Sequence, residues 1–522
     1  MTHDAIVVGA GHNGLACAVH MATKGWKVLV LEQAGTPGGA VKTAEVTLPG
    51  YRHDLYAMNL SAFAGSPFHA QHGALLAKHG LEFVGAPKPF ASVFAPNSKP
   101  EWLGVEQGLD ATLAHISRAS TRDVEAWRSL NQRFEREAPH IFSLLGSPVP
   151  SWEMVRVMWT MWRKLGTPGV AETARLLLSS SRAWLEGQFE SDAVRCLLAT
   201  WGLHLDFGPD VAGGALFPYL ESMLGQRFGM MLGRGGADTI VRSMVSALQG
   251  AGGEVRTGAR VRRIQVSAGK ANGVELEGGE RITARRAVIA NVHPRALYGA
   301  LLGNDAPANS ESARALRRGP ATMMIHLALD ALPAWRAGLE LQSFAYVHLA
   351  PSMEYMSRAY AQALAGALPE EPVLVVGQPT VFDPSRAPAG KHVLWVQVRV
   401  LPSQPKSDAA GKLTVGPWSS IKDAYADRVL DILERYAPGL RQSVLGRCVL
   451  SPEDLERDNP NLVGGDSLSG SHHLDQFFAF RPSFGRSRWR TGVDGLFHIG
   501  ASTWPGAGTG AGSGYMLARD LT

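Results

Sequence analysis

The chain has 522 residues, of which 45% are hydrophobic and 19% charged, and its 51 Lys and Arg against 46 Asp and Glu leave a formal net charge of +5. That length exceeds what one compact core accommodates and predicts two or three folding units of ordinary globular composition. With no long Lys/Arg run, a nucleic-acid partner is excluded as a working reading, and mild attraction to an anionic membrane surface fits the charge better. Three cysteines, Cys17, Cys196 and Cys448, lack CxxC spacing and are odd in number, so a disulfide framework is not expected and a reduced, cytoplasmic setting is.

The apolar run Ala5 to Val8 starts almost at Met1 and leads straight into glycines, so no signal peptide is expected. No stretch reaches the ~18 uninterrupted apolar residues of a membrane span. Ile6 to Val8 reads as a strand buried on both faces. Leu15, Ala18, Val19 and Ala22 follow at helical spacing, Gly25 closes that helix, and Val28 to Leu31 is a second buried strand. From about Ser61 to Gly229 the pattern is mostly helical and rich in Trp, Met and Arg. An α/β pattern returns between Gly233 and Asn291: a helix over Ala237 to Leu248, then short strands near Val255, over Val261 to Val266 and Gly273 to Leu276, around Ile282 and over Ala287 to Ala290. The middle ones, separated by Gly-containing turns, form a small antiparallel meander. Strand-like runs recur near Met323 to Leu329, Val373 to Val376 and Val393 to Val400, with a helix from Ile421 to Tyr436. Leu496 to Ile499 is a last strand, entering a Gly-rich turn and a terminal helix.

Gly9-Ala10-Gly11-His12-Asn13-Gly14 lies between the first strand and the first helix. The first glycine permits a tight turn, the second lets the backbone approach a pyrophosphate, and the third allows close helix–strand packing. The helix start offers free N–H groups and partial positive charge to phosphate. Glu32 ends the second strand, where an acid holds a ribose hydroxyl. This unit does not by itself separate NAD from FAD. At the other end, Gly500 follows a strand, and Gly506, Gly508, Gly510, Gly512 and Gly514 lead into the terminal helix. No room remains for a returning strand, so this segment completes the first site rather than forming a second one. A helix N-terminus there would face the flavin pyrimidine ring and stabilise negative charge on it. The cofactor expected is therefore FAD.

The chain resembles the phytoene-desaturase-like branch of the FAD-dependent amine-oxidase superfamily, closest to the phytoene-dehydrogenase-related proteins and desaturase-type carotene ketolases. The segments that carry this are VVGAGHNG (7–14), Pro37-Gly38-Gly39, GRGGADT (233–239), GGEVRTGARVRRI (252–264), DPSRAPAGKH (383–392), LDQFFAFRP (474–482) and Leu496 to Gly514. The fold class implied is α/β: a discontinuous Rossmann-like FAD-binding domain of glutathione-reductase type from residues 1–60, 230–300 and 480–522. A mixed-sheet and helical substrate domain takes 61–229 and 301–479, with 110–229 its helical part. The resemblance implies that Gly9, Ala10, Gly11, Asn13 and Gly14 hold the pyrophosphate and Glu32 the ribose. Gly39 and Ala40 would lie near the pyrophosphate and flavin, and Val261 would meet adenine through its backbone. Gly500, Ala501, Thr509, Gly510 and Ala511 would hold the ribityl and isoalloxazine end. Two positions depart from the pattern: Ala501 stands where many relatives carry an acid, and Ala40 where many carry a base.

The activity implied is hydride removal from a lipophilic, carotenoid or other isoprenoid substrate, with electrons passed to oxygen or a quinone. Rivals are a flavin oxidase of an amine or other small polar substrate, and a non-catalytic lipid or prenyl carrier of the same fold. Desaturation needs no obvious catalytic base. His472, His473, Asp475 and Arg481 precede the last strand, either as substrate, flavin or proton-handling groups or as an ordinary surface loop. Adjacent histidines without acid or Cys spacing do not make a metal site, and none is expected. His53-Asp54, His204 with Asp206, and Cys17 are read first as structural; His326 faces either core or pocket. Trp152, Val155, Met158, Trp159 and Trp162 form an apolar stripe with Arg156, Arg163 and Lys164 opposite. It is read as a core or interface helix of the substrate domain, with a membrane-docking helix as the alternative. Oligomeric state is left open by the sequence.

Overall fold

The computed structural model describes residues 2–522. Ten elements frame the first unit. They are β1 (His3–Val8), α1 (His12–Thr23), β2 (Val28–Leu31), α2 (Thr239–Gly250), β3 (Glu254–Arg256), β4 (Val261–Ser267), β5 (Lys270–Leu276), β6 (Arg281–Ala290), β7 (Leu496–His498) and α3 (Gly512–Leu521). Five strands form a parallel sheet in the order β3-β2-β1-β6-β7. Ile289 of β6 pairs with both Val7 and Phe497, so the first and last strands flank the same central strand.

Side chains alternate between two covered faces, as a period of two requires. Ala5, Val7, Val30, Ala287 and Ile289 pack with α1, α2 and α3. Ile6, Val8, Leu29, Leu31, Val288 and Ala290 pack with the β4-β5-β6 meander. The sequence around Ile282 and Ala287 is one strand, not two. Its first half alternates between exposed and buried and belongs to the meander, whereas Ala287 to Ala290 is buried throughout and belongs to the parallel sheet.

A second, mixed sheet of seven strands orders Val444–Leu450, Ala321–Leu329, His392–Leu401, Val373–Gly377, Tyr346–Leu349, Phe90–Val93 and Trp102–Val105. One face, with Ile325, Val347, Val376 and Val396, packs on helix Trp418–Tyr436. The other, with Met324, Tyr346, Val375 and Trp395, packs on the helices between Leu109 and Phe228.

The stretch from Ser61 to Gly229 is mostly helical, and it also supplies two strands of the second sheet, while Phe83–Ala86 pairs with Met230–Gly233. Two expectations need correcting. Helix Pro67–Lys78 packs on the first unit, since Phe68 and Leu76 are buried in the cluster that includes Ala5 and α1. The Trp152 stripe also differs from the core reading. Helix Trp152–Leu178 exposes Trp152, Val155, Met158, Trp159 and Trp162, and its inward side is Met161, with Met154 half-buried. Among the described residues no helix is long and apolar enough to cross a membrane.

Candidate functional site

β1 ends in the first glycine turn, where Gly9 takes φ +98° and a side chain on it would stand 2.8 Å from the Asn291 carbonyl oxygen. A Cβ on Gly14 would stand 2.4 Å from the Gly9 carbonyl oxygen, so this side of α1 can approach β1 only as glycine. Gly11 starts α1 and no side chain caps it, leaving the helix N–H groups available to an anion. The second glycine pair closes over this turn: the Gly38 N–H donates to the Ala10 carbonyl at 3.0 Å, and Gly39 packs on Gly11. Ala40 follows, packed against the substrate-side core.

Glu32 accepts the Ala10 N–H at 2.8 Å and the Ala34 N–H at 2.9 Å. Its carboxylate is thereby fixed beside the turn, and each oxygen keeps lone-pair capacity for a ribose hydroxyl. The Ala259 N–H donates to the Glu32 carbonyl at 2.8 Å, which brings Val261, at the start of β4, to this same end.

β7 delivers the second turn to the first. Asn291, directly after β6, donates from Nδ2 to the Gly9 carbonyl at 3.1 Å, and its Oδ1 lies 2.9 Å from where a Gly500 side chain would begin. The Gly500 N–H donates to Ser513 Oγ at 3.2 Å, and Thr503 Oγ1 donates to the Gly500 carbonyl at 2.9 Å. Ala511 takes φ +58° and starts α3 without a side-chain cap. α3 then abuts α1 so closely that a Cβ on Gly514 would stand 1.9 Å from the Asn13 carbonyl oxygen. The His12 imidazole Nε2–H donates to the Gly508 carbonyl at 3.0 Å. Thr509 Oγ1 reaches the Asn59 carbonyl at 3.5 Å, and Gly510 packs on Ala62. Two uncapped helix starts and two glycine turns therefore meet in one cradle, with Glu32 at one end and Asn59 at the other.

The four residues before the last strand are engaged within the chain. His472 is buried, and its Nε2 accepts the Ala507 N–H at 3.0 Å; burial, with Arg481 nearby, holds it well below the usual imidazole range. It positions the Gly506–Gly508 turn. Arg481 is fully buried and donates to the carbonyls of Ala501 at 2.7 Å and Ser471 at 2.8 Å. Burial lowers its guanidinium to about 10. Asp475 takes a bidentate pair from Arg317 at 2.8 and 2.9 Å on the surface. His473 Nε2 donates to the Asp206 carbonyl at 2.8 Å. Asp206 also accepts from Tyr360 at 3.0 Å, and burial pushes its carboxyl up to about 6. Ala501 carries no acid, and its carbonyl anchors Arg481 instead. Among the described residues no three His, Cys, Asp or Glu converge as metal ligands.

Three sequence motifs meet at a buried ion cluster. The Arg386 guanidinium pairs with Asp54, donates to Asp383 at 3.2 Å from Nε and to the Gly233 carbonyl at 2.7 Å from Nη2. Asp383 in turn accepts the Gly235 N–H at 2.6 Å, and Asp54 the Ala237 N–H at 2.7 Å. This cluster ties the second sheet to the first unit. His53 hydrogen-bonds with Thr47 at 2.8 Å and faces His326 at 5.4 Å. Both are held neutral by burial, at about 4 and about 3. Cys17 is buried in α1, and burial pushes its thiol up.

Beyond Asn59 lies a polar group within the aromatic core of the substrate side. The Tyr346 hydroxyl faces the Asn59 backbone, and its ring stacks on Trp395 at 5.5 Å. His204 and His348 meet at 3.3 Å, with Trp201 over His204 at 4.5 Å. Burial keeps both histidines neutral. Glu221, on helix Leu216–Phe228, is half-buried, and desolvation pushes its carboxyl up to about 7.

His12, Asn291, Asn59, Ser513 and Glu221 were not singled out from sequence. Asn291 carries a legible signal, a polar residue directly after a buried strand. Of the others, His12 and Asn59 declare themselves only through contacts hundreds of residues away, Ser513 through its bonds to Gly500 and Thr503 across the second turn, and Glu221 through its burial.

Fold and cradle together define an FAD-dependent oxidoreductase. The chain belongs to the family of flavin-containing amine oxidoreductases, whose model matches residues 14–438. It is 27% identical to the rat "pyridine nucleotide-disulfide oxidoreductase domain-containing protein 2", over 99% of this chain and 94% of that protein. It is 25% identical to the neurosporene-forming phytoene desaturase of Cereibacter sphaeroides, again over 99% and 94%. Among solved structures, an oxidoreductase from Methanosarcina mazei superposes with a TM-score of 0.63 at 18% identity, covering 99% of both chains.

Proposed function

We propose that this protein oxidises a lipophilic, isoprenoid-like substrate at a C–H bond. The observation that carries the reading is the intact FAD cradle within a chain that aligns end to end with a phytoene desaturase. The chemistry that FAD supplies when bound is acceptance of a hydride and onward delivery of electrons to oxygen or a quinone. Gly9, Gly11, Gly14 and the start of α1 would hold its pyrophosphate, Glu32 its ribose, and the Gly500 to Ala511 segment its flavin end. The chain's own work is to orient substrate and exclude water. Tyr346, whose hydroxyl meets the Asn59 backbone, packs in one buried core with Trp395, Trp201 and Met58, and this core would supply the apolar contacts to substrate.

A second reading, oxidation of an amine, is favoured by one feature. Among the described residues Glu221 has no ion-pair partner and lies near Tyr346, and once ionised it would serve as counter-ion to an ammonium. Anaerobic mixing separates the two. Loss of visible flavin absorbance on adding a polyene in detergent, with none on adding amines, supports the isoprenoid reading. Bleaching by amines alone, or no bleaching by any apolar polyene, contradicts it.

A further inference from the structure

Helix Trp152–Leu178 is straight only to Gly166, whose φ of +67° breaks it. Over the first part, residues advance by about 100° each. That places Trp152, Val155, Met158, Trp159 and Trp162 within an arc of about 120°. Their exposures are 84, 51, 50, 58 and 46%. Trp159 and Trp162 lie 5.1 Å apart as an exposed pair. On the same wheel, Arg156 and Arg163 flank the Trp152 edge of this arc rather than opposing it, and both are exposed, as is Lys164.

A second exposed apolar group adjoins the helix. Phe484 is 78% and Phe480 48% exposed. Their loop is anchored by Phe478, which stacks on Trp504 at 5.1 Å, and the Trp504 indole N–H donates to the Ser147 carbonyl at 2.8 Å, just before the helix. Met154 packs in the same cluster. The loop and the helix start therefore rest on one support.

We propose that Trp152, Val155, Met158, Trp159 and Trp162, with Phe480 and Phe484, form a membrane-docking face for an anionic bilayer. Exposing this many large apolar side chains to water is unfavourable, and one stripe of tryptophans bordered by arginines matches the headgroup boundary. Trp rings occupy the interface, the aliphatic groups enter the acyl layer, and Arg156 and Arg163 meet lipid phosphates. The basic border favours an anionic lipid surface over a second copy of this chain, which would set the same arginines against each other. This docking is independent of substrate identity.

The test is flotation of the FAD-loaded protein with phosphatidylcholine vesicles, with and without phosphatidylglycerol. Binding should be at least about tenfold tighter to the anionic vesicles and weaken with salt. The triple variant W152S/W159S/W162S should lose binding to both, and R156E/R163E should lose the preference for anionic lipid, each with flavin content unchanged. Absence of binding to anionic vesicles at low salt overturns the proposal. So does a wild-type dimer that the triple variant converts to monomer while vesicle binding persists, or R156E/R163E binding as wild type does.

Discussion

His12 and Gly508 lie 496 positions apart and are joined by a hydrogen bond from the imidazole Nε2–H to the carbonyl oxygen. Burial holds His12 to about 4, so at neutral pH the ring is uncharged and the bond is an ordinary one. It fastens the Gly506–Gly508 turn to the start of α1. Replacing His12 with Phe keeps the ring and removes the donor. The expected cost is about 1 kcal/mol, or roughly fivefold weaker FAD retention. Flavin-to-protein absorbance after gel filtration measures it, with the circular dichroism spectrum unchanged.

The Arg386 cluster predicts a large stability effect distant from the glycine turns. Arg386 is fully buried between Asp54 and Asp383. Arg386→Met leaves two buried carboxylates without their cation, which costs about 3–5 kcal/mol. A lower urea midpoint with bound FAD checks this. Asp383 adds a pH dependence. Burial pushes it up, but the Ser385 hydroxyl, the Gly235 N–H and Arg386 together hold it below its ordinary 3.8. A lowered carboxyl contributes stability that is present above its unfolded value and lost as pH falls through the folded one. Asp383→Asn should therefore flatten the loss of stability below about pH 4.

Much of the cradle was legible because local rules sufficed. The run from Ala5 to Val8, the glycines after it and Glu32 specify a strand buried on both faces, a tight turn and an acid within one short stretch. The Gly500 segment was legible as a short apolar strand that enters a glycine-rich turn and a helix. What closes the cradle was not legible. His12 and Asn291 act on partners brought near only by the parallel pairing of β1, β6 and β7, and Ser513 on the Gly500 N–H, which the second turn folds back onto the start of α3.

The substrate side was read less well for a different reason. Phe90–Val93 and Trp102–Val105 are four-residue, mostly apolar segments, too short for periodicity to separate strand from helix. Likewise the spacing of Trp152, Val155, Trp159 and Trp162 marks one helix face, yet spacing is the same whether that face meets a core or solvent. The motifs around Asp54, Gly233 and Arg386 were visible separately, and only the fold shows that they share one buried cluster.

Glu221 predicts a pH signature. Desolvation raises its carboxyl from an ordinary 4.5 to about 7. The folded state therefore keeps its proton while the unfolded state loses it, so stability falls as pH rises between those values. Glu221→Gln should remove that decline in a series of thermal melts.

The joining of both chain ends into one FAD site is tested most directly at Gly514, where a side chain would stand 1.9 Å from the Asn13 carbonyl oxygen. Gly514→Ala must push α3 away from α1 while leaving the glycine turn at Gly9 intact. Fluorescence titration of apoprotein with FAD should show tight one-to-one uptake by the wild type. It should show at least about a hundredfold weaker uptake by the variant, a loss of about 2.7 kcal/mol, with the fold retained by circular dichroism. Wild-type protein that takes up no FAD, or a folded Gly514→Ala variant that binds it as tightly, would contradict a single site built from both ends.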